Sequence, residues 1–171
     1  MIEKCKNEMS FPNMRFEHAD VEQLPYENAS FDWIISHMML YHTESKEKAL
    51  WEIKRTLKNQ GLVGIITVSD NYMKRLFNIV PFEINMSASF SESIADKIIP
   101  QYFSNISKHY YEDILKITNI DAIKCYIDSS PSFKDIEKLQ IEKFLKSVEN
   151  EILSLGSYDI KKRLVMYLCQ K

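Results

Sequence analysis

The sequence predicts an α/β domain on a mostly parallel sheet, and three observations carry that prediction. Phe31-Asp32-Trp33-Ile34-Ile35-Ser36 and Leu62-Val63-Gly64-Ile65-Ile66-Thr67-Val68 are too continuously apolar for a sheet with one wet face. Between them Ala49, Leu50, Ile53 and Leu57 recur at helical spacing behind Thr43 or Ser45, either of which can cap a helix. Two strands buried on both faces and joined by a helix make a parallel crossover unit, whereas a β-sandwich would show alternation.

The remaining elements follow in order. Residues 2 to 9 have helical composition, Phe11-Pro12-Asn13 breaks the pattern, and Met14 to Ala19 reads as a short strand ending at Asp20. Gly61 is expected to stop the central helix, with Lys54, Arg55 and Lys58 near its end where cations suit the helix dipole. Residues 71 to 90 are rich in Met, Phe and Ile without a clean period, which suits a lid or a buried helix. Ser91 to Tyr102 is expected to be helical and Ile106 to Ile114 a strand, and Thr118 is expected to cap a helix through Ile127. From Phe133 to Leu155 a long helix presents Ile136, Leu139, Phe144, Leu145, Val148 and Ile152 on one face, Gly156 closes it, and Arg163 to Cys169 is the last strand.

Composition narrows the function. With 171 residues and 45% of them hydrophobic, one core and one domain are expected. A formal charge of -2 gives no broad field to draw in nucleic acid or an anionic membrane, and no apolar run reaches membrane-spanning length. Cys5, Cys125 and Cys169 are odd in number and far apart, so neither a disulfide framework nor a zinc site is indicated, and a reducing cytoplasm fits. His37 and His42 lie five apart without a nearby Cys or paired acid, so no metal site is expected. Three glycines are few for a doubly wound enzyme, which usually places several where backbone must approach a cofactor.

Three blocks in order carry a family resemblance: Asp20-Val21-Glu22-Gln23-Leu24-Pro25-Tyr26, then Phe31-Asp32 opening a strand, then Glu52-x-x-Arg55-x-Leu57-Lys58-x-x-Gly61 before the next strand. Together they resemble the Rossmann-like (class I) S-adenosylmethionine-dependent methyltransferases, in the part C-terminal to the glycine-rich loop. Asn59-Gln60-Gly61 stands where the family usually has Pro-Gly-Gly. The resemblance implies a Rossmann-like methyltransferase sheet, mostly parallel with an antiparallel terminal strand and missing the first two strands, in a domain truncated at its N-terminus. It also implies S-adenosylmethionine as cofactor and a small-molecule methyl acceptor. The alternative is a non-catalytic remnant or interaction protein that has lost the cofactor loop.

What the resemblance implies for single residues is specific. Asp20 would accept from the adenine amino group and the Val21 amide would meet a ring nitrogen, while Ser36 and His37 would line the methionine portion. For Asp20 the plainer role is to cap the turn after a strand. Tyr41 and His42 are the candidates for the acceptor pocket, His42 as a proton acceptor or simply as a packing or capping residue. Glu52 and Arg55 are expected to be a solvated helix pair or a structural contact. Without the family's first two strands, Met14 to Ala19 would either slide beside Phe31 to Ser36 or leave that edge to a second copy, giving a homodimer.

Overall fold

The computed structural model describes residues 2–8, 11–80 and 89–171. A short helix α1 (Ile2–Glu8) precedes strand β1 (Phe31–His37), which pairs in parallel with β2 (Leu57–Val68), Ile34 opposite Val63 and Ser36 opposite Ile65. Helix α2 (Lys46–Thr56) makes the crossover between them. Next come α3 (Lys74–Phe77), α4 (Glu92–Ile98), β3 (Ser104–Ile117), α5 (Ile120–Ser129), α6 (Lys138–Leu155) and β4 (Tyr158–Gln170). The strand order is β1-β2-β4-β3, with β4 antiparallel to both neighbours. Three strands therefore point one way and the terminal strand opposes them, as expected.

Two cores share this sheet. On one face α2 and α4 bury Val63, Ile65, Val165, Tyr167 and Cys169 beneath Leu50, Ile53, Phe90 and Ala95. Burial pushes the Cys169 thiol up to about 11, so it stays protonated and inert. Toward the carboxyl end of β3, α3, α5 and α6 form a second core around Tyr158 and Ile160. The face of β1 that carries Trp33 and Ile35 is left open, with those side chains 55% and 69% exposed. Gly64 opens onto free space.

Several sequence expectations are corrected. Met14 to Ala19 forms no strand: with no neighbour to take its amides and carbonyls, it stays irregular and largely exposed, and it does not slide beside β1. Gly61 does not end α2. The helix stops at Thr56, and Leu57 passes straight into β2. The chain then doubles back through Gln60 at φ 63, so that a Cβ on Gly61 would stand 2.9 Å from Leu57 Cγ and from the Lys58 carbonyl. Glycine is required there by close approach rather than by helix termination. Ser45 rather than Thr43 caps α2, and Asn119 rather than Thr118 caps α5. Pro131–Phe133 form a 3-10 turn and residues 134–137 a loop before α6, which begins at Lys138, and Leu139 is 59% exposed instead of facing the core. Residues 81–88 of the expected lid, and Met9 of the expected first helix, lie outside the described residues.

Gly156 behaves as read from the sequence: it ends α6 in the left-handed conformation at φ 82, its amide donating to the Ile152 carbonyl at 2.8 Å. Gly156→Ala is expected to lower stability by about 1 kcal/mol through that φ alone, measured as a fall in the urea midpoint.

Candidate functional site

In an open α/β sheet a ligand sits at the carboxyl rim of the parallel strands. Here that rim starts where β1 ends: Met38 takes a left-handed φ of 51 and its amide donates to the Ile66 carbonyl at 2.9 Å, turning the chain into a 3-10 segment, Leu40–His42. Beside the unpaired edge of β1 lies a slot of about 280 Å³, walled by apolar side chains including Val21, Leu24, Ile34, Met39 and Ile53. Ser36 lines it too. That side chain is only 5% exposed, and its hydroxyl has no hydrogen-bond partner among the described residues.

The polypeptide from Asp20 to Asn28 forms the outer wall of the slot and is fastened to α2 at three points. Glu22 accepts from the Ser45 amide at 2.9 Å. Glu52 accepts from the Leu24 amide at 2.8 Å. Arg55 grips Glu52 with two nitrogens and donates to the Tyr26 and Leu24 carbonyls at 2.7 and 3.1 Å. This pair is a structural contact and not a solvated one, since Glu52 is buried. The Arg55 hydrogen bond holds the Glu52 carboxyl below its ordinary value. Spacing three apart on a helix is compatible with either role, and only the docking of the loop decides between them.

The candidate residues separate by position. Val21 and Ser36 meet in the slot. Asp20 is exposed, and its carboxylate accepts from the Glu22 amide at 2.9 Å, closing a tight turn in which the Gln23 amide reaches the Asp20 carbonyl. His37, one residue beyond Ser36, points to the opposite face, where it lines a groove with Ile66, His109 and Met166. The Tyr41 and His42 rings lie 4.4 Å apart, tilted by 49°. Tyr41 is half-buried, and desolvation with Tyr72 nearby raises its phenol, so it stays protonated. His42 is exposed, and Ser45 rather than His42 caps α2. Sequence reasoning missed the polar junction at the end of β2, where Asp70 accepts from Ser91 Oγ at 2.6 Å and from the Ser93 amide at 3.2 Å. Those partners stand more than twenty residues apart.

Comparison with known proteins adds an independent line. A methyltransferase domain profile matches residues 1–65. Over 123 residues the chain is 29% identical to the ubiquinone/menaquinone biosynthesis C-methyltransferase UbiE of Pasteurella multocida, covering 70% of this chain and 46% of that protein. The chain is thus similar to a methyltransferase domain over its first 65 residues and to UbiE over 123 residues. A second UbiE, from Idiomarina loihiensis, is 31% identical over 99 residues, 53% of this chain and 39% of its own length. The chain thus spans less than half the length of both curated relatives. The YcgJ protein of Bacillus subtilis superposes with a TM-score of 0.61 at 15% identity, covering 99% of this chain and 75% of that one. A Bacillus halodurans protein described as a methyltransferase gives 0.57 at 12%, covering 90% and 69%. These structures share the fold, which is as far as such identities reach. No helix among the described residues is long and apolar enough to cross a membrane.

Proposed function

We propose that this chain takes part in S-adenosylmethionine-dependent methyl transfer to a small molecule, and that the slot beside β1 receives the nucleoside end of the cofactor. The observation that carries the reading is the orphaned Ser36 hydroxyl in an otherwise apolar slot, the kind of polar atom a buried site keeps for a ligand. The slot is slightly smaller than the usual range for small-molecule sites, about 300–1,000 Å³, which suits part of a cofactor. None of the chain's three glycines lines it, so a glycine cradle for the other end is not supplied by these residues.

When bound, S-adenosylmethionine supplies a methyl group already activated by its sulfonium, so the protein's task is mainly alignment. Val21 and Ile34 would exclude water from the base, Asp20 would meet its amino group at the cost of the turn it now closes, and Ser36 would hydrogen-bond the cofactor. His37 stands at the rim on the other face. Tyr41 and His42 flank the acceptor side, His42 able to accept a proton there. No nucleic-acid partner and no membrane anchoring is proposed, and the three thiols, all free among the described residues, suit a reducing cytoplasm.

Calorimetric titration of S-adenosylmethionine into the 171-residue chain tests the reading, and absence of heat at millimolar ligand would end it. Ser36→Ala gives the sharper prediction. Removing an unsatisfied buried hydroxyl is expected to raise stability by about 1 kcal/mol and to weaken cofactor binding about tenfold, so the two effects have opposite signs.

The homodimer belongs to the same proposal. A two-fold axis through Ile34 would set Trp33 of one β1 opposite Ile35 of the other and oppose no like charges, since Asp32 would face Ser36. Ile35→Lys is expected to leave a monomer at concentrations where the parent chain sediments as a dimer. A parent chain that is monomeric throughout removes the proposal.

A further inference from the structure

Beyond the end of β2 the chain turns through Ser69 to Asn71 into α3, and a cavity of about 830 Å³ opens between α3 and the β3–β4 pair. Its size is that of a small-molecule site. Five cations and three carboxylates line it, in a chain whose overall formal charge is -2. The carboxylates are engaged: Asp113 with Lys162 at 3.1 Å, Glu112 with Arg163 at 3.2 Å, and Asp159 with the Ser157 hydroxyl at 2.7 Å. Arg75 is taken by Glu151 at 2.6 Å. Lys74 and Lys161 have no carboxylate partner among the described residues.

Two buried donors in or beside the cavity lack hydrogen-bond acceptors. Arg163 Nε, although close to Glu112, is out of line for a hydrogen bond and has no acceptor among the described residues, and Ser69 Oγ likewise has none. They are neighbours across the strands, because the Ser69 amide donates to the Arg163 carbonyl at 3.0 Å. A guanidinium N–H and two ammonium groups at the cavity lack hydrogen-bond acceptors among the described residues, and a buried hydroxyl on the strand beside it lacks one too. Buried donors left so are costly, and the chemical complement of such a set is an oxyanion.

We infer that this cavity binds the carboxylate or phosphate group of an anionic small molecule, held by Lys74, Lys161 and Arg163. If the methyl-transfer reading holds, on which this clause alone rests, that molecule is the acceptor.

The test is calorimetric titration of the 171-residue chain at constant ionic strength with inorganic phosphate and, separately, with succinate. Saturable binding of either is expected, the tighter one naming the group. A Lys74→Gln/Lys161→Gln double variant should weaken it at least about tenfold. Lys138→Gln, at a site 91% exposed on α6, should leave it unchanged. No saturable heat from either anion, or a double variant that binds like the parent, overturns the inference. Cofactor titration of the same samples is a separate arm. Lost anion binding with cofactor binding intact defeats only the anion site, and the converse defeats only the methyl-transfer reading.

Discussion

Glu52→Leu is expected to be the most damaging single change in the N-terminal half. It leaves Arg55 without its carboxylate and the Leu24 amide without its acceptor, in a setting where Glu52 is 7% exposed. Removing one partner of such a pair costs about 3–5 kcal/mol, and the partial exposure of Arg55 favours the lower end. Because Asp20 to Asn28 is fastened to α2 mainly through this pair, cofactor binding should fall with stability. The pH dependence has a definite sign. The Glu52 carboxyl titrates lower in the folded chain than in the unfolded one, so its stabilisation is complete above the unfolded carboxylate range and is lost as pH falls through the folded value. Urea midpoints of parent and variant should therefore differ most at neutral pH and converge in acid. A constant gap down to the acid limit would show that the ionised pair contributes nothing.

Leu50→Ala should be nearly as severe by a different cause. Leu50 is fully buried where α2 packs on the sheet, in the same core as Ile53, Val63 and Ile65. Truncation loses transfer free energy and leaves a cavity, about 3 kcal/mol together, or roughly 6–12 °C in Tm for a chain of this size. The equivalent change at Leu153 on α6, 80% exposed, should be silent in the same thermal scan.

How much of this was legible in the sequence depends on the range of the interaction involved. β1, α2 and β2 were readable because their apolar periods and the Ser45 cap are local, and the parallel pairing of Ile34 with Val63 follows from them. Met14 to Ala19 misled, because strand composition cannot form a strand without a neighbour. Gly61 misled because a glycine after a helix usually terminates it, whereas here it relieves a contact with Leu57. Of the candidate site, Val21 and Ser36 converge, but strand alternation sends His37 to the other face. The donor-rich cavity was not readable at all, since Ser69 and Arg163 become neighbours only through β2–β4 pairing across nearly a hundred residues.

The outer edge of β1 has a spectroscopic consequence. Along Phe31 to His37, alternate amides point toward β2 and the others point away from the sheet. In deuterated buffer the strand should therefore show a two-residue rhythm, slow and fast exchange alternating, while Val63 to Ile66 in the middle of the sheet are protected without interruption. Anything that docks along that edge would erase the rhythm from β1 first, making these seven amides a gauge of its occupancy.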